Sequence, residues 1–257
     1  MKNKYFNIFV KNLLKHKNKL IEIEKIKTIW KKILDSEYSD KKLYKIIYYL
    51  KNREYLQSLK KDILLVKEPN KKYENQQLLE TYYWNILKKH CNKYIDWNRY
   101  IWWIKALELN YSSYDIPEEI IIINTKKQCT EIVMFDKQIL FKLYSSDQKK
   151  LFNTFYKMTR KVYIKNNVFT IANTELAILE SLYNPSIINK WYADEFIKKI
   201  LRKNKNTLNI KIREDIVKTS KHHSSINRLY KIAQTIDPDI SEKIKNIIKK
   251  YSYFISV

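Results

Sequence analysis

The stretch that decides the fold runs Ser39-Asp40-Lys41-Lys42-Leu43-Tyr44-Lys45-Ile46-Ile47-Tyr48-Tyr49-Leu50-Lys51-Asn52, followed by Tyr55-Leu56-Gln57-Ser58-Leu59 and Ile63-Leu64-Leu65-Val66. Ser39 stands where a helix N-cap belongs, and Asp40 beside it suits the positive end of a helix dipole. Leu43, Ile46, Ile47 and Leu50 recur at helical spacing and predict a buried stripe. At 100° per residue the opposite face carries Lys41, Lys45, Tyr48 and Asn52, flanked by Lys42 and Tyr49. The two β-rich runs are joined by Lys60-Lys61-Asp62, which predicts a hairpin with a basic tip.

Upstream, Phe6, Phe9, Val10, Leu13 and Leu14 trace an amphipathic helix that ends in the solvated run Lys15 to Lys19. Ile26, Ile29, Trp30, Ile33 and Leu34 trace a second helix, and Asp35-Ser36-Glu37-Tyr38 reads as a turn. Helix, turn, helix and hairpin in that order predict a winged helix-turn-helix over 21–70, behind an N-terminal helix within 1–20. Lysine contacts phosphate or guanine, asparagine pairs with adenine, and tyrosine reaches phosphate or a thymine methyl. Lys41, Lys42, Lys45, Tyr48, Tyr49 and Asn52 on the helix, with Lys60 and Lys61 at the wing, are therefore the candidate DNA contacts. The competing explanation is an ordinary solvated helix face.

Downstream, Glu68-Pro69-Asn70 closes this unit, and helices are expected over about 74–92 and 99–109. From Pro117 the texture turns to short β-rich runs: Glu119–Asn124, Glu131–Phe135, Ile139–Tyr144, Lys161–Ile164 and Val168–Ala172. Helices resume with Thr174–Tyr183 and from about 192 onward, broken near Asn204–Thr207, Ser220–Ser224 and Asp237-Pro238. The expected class is α+β: an N-terminal winged helix-turn-helix, a small mixed β region and a helical C-terminal part.

The formal charge of +24 favours a polyanionic partner, nucleic acid first and an anionic membrane surface second. Part of it reflects a Lys-, Ile-, Asn- and Tyr-rich composition of the kind an AT-rich genome encodes. Residues 1–70 hold 18 Lys and Arg against 8 Asp and Glu, residues 190–257 hold 16 against 7, and the centre is nearly balanced. No apolar run approaches the ~18 residues of a membrane span, and Phe6 to Val10 is too short for a secretory core. A cytoplasmic protein with no membrane partner is expected.

Catalytic and metal chemistry find no carrier. Cys91 and Cys129 are far apart with no CxxC, which argues against a zinc site. Adjacent His222 and His223 would point about 100° apart on a helix. Glu131-Ile132-Val133 lacks the lysine of a nuclease motif. The chain has no glycine, so P-loops and GxGxxG cradles are excluded, and turns must lean on residues such as Asn166-Asn167. The expectation is a protein that is not an enzyme, with no cofactor. Glu175 follows Asn173, a candidate N-cap, and compensates the dipole of the helix it opens.

The motif order resembles the AbiEi-type antitoxins of type IV toxin–antitoxin systems. The similarity rests on three stretches: Asn52-Arg53-Glu54-Tyr55-Leu56 with its hairpin, Trp103-Ile104-Lys105-Ala106-Leu107-Glu108, and Val168 to Leu179 ending in Tyr183-Asn184-Pro185. Arg228-Leu229 also fits, and together they span about residues 23–235. Glu54, Asp62, Trp102, Trp103, Asn110 and Trp191 depart from the pattern, standing where relatives commonly have glycine. The resemblance implies an antitoxin-like α+β domain over 71–257 and two tasks. The winged helix would repress the protein's own operon at inverted repeats in double-stranded DNA. The C-terminal domain would neutralise a nucleotidyltransferase-like toxin, without a stable complex being required. A stand-alone regulator is the alternative, and a nucleic-acid-processing enzyme the remote one.

Overall fold

The computed structural model describes residues 3–34, 39–60, 62–69, 73–95, 97–126, 131–134, 137–143, 148–183, 190–203, 216, 218 and 223–251. Lys61, Cys129, His222, the 35–38 turn and the break at 204–207 lie outside them. The chain is α+β and forms two compact units, the first essentially residues 1–87 and the second essentially 88–257.

The first unit follows the order α1 (Asn3–Leu14), β1 (Leu20–Glu22), α2 (Ile23–Leu34), α3 (Asp40–Asn52), β2 (Leu56–Lys60) and β3 (Ile63–Val66). Its three strands are antiparallel in the order β1-β3-β2, so β3 is central and all four of its residues are buried. Strand β1 has no counterpart among the expected elements. Three residues carry too little pattern to be read alone, and their pairing of Leu20 with Leu65 is a long-range event. Lys60 belongs to β2, opposite Ile63, rather than to the loop, and a register shift between Ser58 and Lys60 marks a bulge beside the tip.

Helix α1 shares this core. Phe9, Leu13, Ile26, Trp30, Leu43 and Leu50 are all buried in it, and the Phe9 and Trp30 rings meet edge to face at 4.8 Å. Trp30 is fully buried, and among the described residues its Nε1 has no acceptor. That orphan costs on the order of 1–3 kcal/mol. Burying the ring's roughly 150–250 Å² returns more than this, at about 25 cal/mol per Å².

The second unit is built on a six-stranded mixed sheet in the order β6-β7-β5-β4-β9-β8. Its strands are β4 (Arg99–Ile101), β5 (Glu119–Asn124), β6 (Glu131–Met134), β7 (Lys137–Leu143), β8 (Thr159–Ile164) and β9 (Asn167–Ala172). The pairs β5–β7 and β4–β9 are parallel. The expected helix over 99–109 is thus split: Arg99–Ile101 is a strand paired with both β5 and β9, and α5 covers only Trp103–Asn110. Local pattern does not distinguish them, because sheet partners decide whether a three-residue segment such as Arg99-Tyr100-Ile101 extends. The second unit also holds α6 (Lys149–Lys157), α7 (Thr174–Ser181), α8 (Lys190–Lys203), α9 (His223–Gln234) and α10 (Pro238–Lys250). The long helix α4 (Asn75–Tyr94) contains the division between the units.

Caps explain the boundaries. Asn173 Oδ1 accepts from the Leu176 amide at 2.9 Å, as an N-cap should. Asp237 Oδ1 accepts from Asp239 and Ile240, and Pro238 opens α10 at a position that needs no amide donor.

With no glycine in the chain, residues of other types take positive φ: Asn18, Glu54, Trp103, Ser112, Lys165 and Asn166. The β8–β9 turn is one residue earlier than Asn166-Asn167. Lys165 (φ 45°) and Asn166 (φ 64°) form it, both in the left-handed region that a two-residue type I′ hairpin demands. Asparagine tolerates that region, whereas an exposed lysine pays about 1–2 kcal/mol for it. Lys165→Gly should therefore raise stability by about 0.5–1 kcal/mol after the entropy glycine adds to the unfolded chain. The urea midpoint should move up with an unchanged slope. A lower midpoint would show that the turn is not strained at this residue.

Candidate nucleic-acid interface

Helix α3 is held from below and open above. The Ser39 hydroxyl accepts from the Lys42 amide at 3.2 Å, and Lys27 pairs with Asp40 at 2.9 Å, fixing where the helix begins. Leu43, Ile46, Ile47 and Leu50 are at most 4% exposed. Lys41, Lys42, Lys45, Tyr48, Tyr49 and Asn52 are all exposed. Burial of one stripe therefore forces the other into solvent, because the two lie on opposite sides of the helix.

Three large tyrosines gather on that open surface. Tyr44 is 59% exposed, Tyr48 63% and Tyr49 48%. Sequence reasoning misses Tyr44, although four steps of 100° bring it round to about 40° from Tyr48 on the helical wheel. Lys51 is exposed beside them. Lys60, at the end of β2, is only partly exposed and carries interactions of its own. The described candidates thus fall on two elements, one helix face and one hairpin. Such a surface of ammonium groups, phenols and one carboxamide can bind phosphates and meet base edges.

The second unit has a different chemistry. Glu180 on α7 is completely buried. Tyr100 Oη donates to its Oε1 at 3.0 Å, while Oε2 finds no partner of good geometry among the described residues. Burial pushes the carboxyl up to about 8; Tyr100, the Trp103 amide, the Trp102 indole and the charge of Lys142 oppose that rise without cancelling it. Lys142 lays its ammonium 4.4 Å from the centre of the Trp102 ring. Partial desolvation lowers its pKa, and Glu180 draws it back up. No sequence signal marks Glu180, because all residues of α7 from Glu175 to Ser181 are buried and no polar face remains to be read.

Nearby, Lys105 is 2% exposed and pairs with Glu108 at 2.7 Å. Tyr192 donates to the other Glu108 oxygen at 2.8 Å, and its hydroxyl is pushed up to about 12 by burial first and by Glu108 second. Arg228 Nη1 donates to the Leu182 carbonyl at 2.5 Å, at the C-terminal end of α7 where a cation suits the helix dipole. These contacts give the Lys105-to-Glu108 motif and Arg228 structural work. Two of the six positions where glycine was expected, Glu54 (φ 60°) and Trp103 (φ 72°), have the backbone that glycine favours. Among the described residues, no group of three His, Cys, Asp or Glu side chains is placed to hold a metal ion. Among them, no helix is long and apolar enough to cross a membrane.

No protein-family model and no curated protein matches the chain. Its fold is similar to a solved one. That structure is the RV2827C protein from Mycobacterium tuberculosis, with a TM-score of 0.58 over 96% of this chain and 81% of that one. Identity is 8%, so the likeness is one of fold.

Proposed function

We propose that the chain is a DNA-binding regulator whose first unit is a winged helix, with α3 as recognition helix and β2–β3 as wing. The observation that carries this is the exposed face of α3. Lys41, Lys45, Tyr48 and Asn52 stand opposite a buried stripe, inside the element order α1-β1-α2-α3-β2-β3. An α-helix enters the major groove only if one long face is free of the core, and α3 meets that condition. The net charge of +24 supports binding to the phosphate backbone.

We further propose that this regulator is the antitoxin of a type IV toxin–antitoxin system. It represses its own operon, and its second unit counters a nucleotidyltransferase-like toxin. This part rests on the motif resemblance. The test separates the two tasks in the full chain. Lys45→Ala with Tyr48→Ala should release a reporter driven by the protein's own promoter, yet still restore growth when the neighbouring toxin gene is expressed. If growth rescue disappears with repression, or if the wild-type chain gives no rescue, a regulator without a toxin replaces the antitoxin reading.

A further inference from the structure

The second unit holds a cavity beside the neighbouring strands β4 and β9. Strand β4 pairs with β5 at all three of its residues but with β9 only through Ile101 and Ile171. The cavity, of about 380 Å³, is lined by Arg99, Tyr100 and Ile101 of β4 and by Val168, Phe169 and Thr170 of β9. Lys88 Nζ, reaching from α4, donates to the Val168 carbonyl at 2.5 Å.

The chemistry of the lining is one-sided. Lys88, Arg99 and Lys161 all contribute, and among the described residues no carboxylate does. Arg99 Nη1 donates to the Cys91 and Ile95 carbonyls and Nη2 to the Asn92 side chain, so its charge is held in a fixed place. Lys88 lies 5.4 Å from the centre of the Phe169 ring. Burial lowers its pKa, and the charge of Arg99 lowers it further, so an arriving anion relieves a repulsion already present. An ammonium has three donors, and the Val168 carbonyl takes one of them. Around these cations stand Tyr156, Tyr100 and Trp97, the last 73% exposed.

We propose that this cavity binds a free mononucleotide, with its phosphate at Lys88 and Lys161 and its base against the aromatic side chains. A dianionic phosphate matches three cations better than a single carboxylate does. The volume lies within the range of small-molecule sites. Aromatic rings accept any base by stacking. All described lining residues belong to the second unit, so the site is independent of the promoter-binding proposal.

Isothermal titration of the full chain with AMP, GMP, CMP and UMP tests this directly. At least one should bind saturably with one site per chain, about tenfold or more tighter than adenosine or inorganic phosphate alone. Lys161→Glu, at an exposed side chain, should weaken it at least tenfold, and Trp97→Ala should weaken it without touching charge. Lys45→Glu on α3 should leave it unchanged. Absence of saturable heat from all four nucleotides overturns the proposal, as does equal binding of phosphate alone. Loss with Lys45→Glu but not with Lys161→Glu places the binding on α3 instead. A single-stranded decamer that binds more tightly than every mononucleotide, and is lost with Lys161→Glu, replaces the nucleotide site by a nucleic-acid groove.

Discussion

Lys45→Ala combined with Tyr48→Ala will lower the affinity of the full chain for its own promoter by roughly 30-fold or more. Each base-reading contact is worth about 1–3 kcal/mol, and two losses at neighbouring positions need not add fully. Both side chains are exposed, and both stand opposite the buried stripe of Leu43, Ile46, Ile47 and Leu50. The fold should survive, as circular dichroism would report. Salt provides a second readout. Binding should weaken as ionic strength rises, with a slope near −0.9 for each phosphate neutralised, so removing Lys45 should make that slope shallower by about 0.9. Unchanged gel-shift affinity with an intact fold removes α3 as the recognition helix. A wild-type slope near zero leaves the basic charge without a DNA role.

The second large effect belongs to Glu180. Its carboxyl titrates at about 8 in the folded chain against 4.5 in the unfolded one, because burial disfavours the charge. Between those values the folded state keeps a proton that the unfolded state has lost. Stability from this group is therefore fully present below pH 4.5 and declines as pH rises through 8. The total change is roughly 5 kcal/mol, since each tenfold difference in proton affinity between the two states is worth about 1.4 kcal/mol. Glu180→Gln keeps the shape and removes the titration. It should flatten the stability profile between pH 5 and 8 (measured by urea unfolding at each pH) and be more stable than wild type near pH 9. Parallel profiles for the two proteins would show that Glu180 is not the group responsible. Tyr100→Phe offers a finer check. Losing the donor to Oε1 should push the Glu180 carboxyl higher still and extend the decline to higher pH, with its onset unchanged.

Helix periodicity makes α1, α2 and α3 legible, because each buries one face and exposes another. The same arithmetic places Lys41, Lys45, Tyr48 and Asn52 on a common face, and leaves out Tyr44 and Lys51 at its margin. Caps are legible where a side chain satisfies a nearby amide, as Ser39 and Asn173 do, whereas Asp237 reads only as a break. All of these are local relations, written within about one turn of chain.

What tertiary structure decided lay beyond that reach. Leu20–Glu22 and Arg99–Ile101 are strands because partners far along the chain fix them, at Leu65 in one case and at Ile122 and Ile171 in the other. Lys60 joins its strand for the same reason. The turn at Lys165 and Asn166 is set by the register of two strands rather than by the asparagine pair alone. Glu180 and the cavity beside β4 and β9 have no local signature at all. One depends on what closes over a helix with no polar face, and the other on which side chains α4, β4, β8 and β9 bring to one place. Sequence by itself determined which faces of α1, α2 and α3 are apolar and where the capped helices α3 and α7 begin. Packing in three dimensions decided which short segments extend, where α5 starts, which charge is buried, and where a cavity is left, because those depend on contacts between residues distant in the chain.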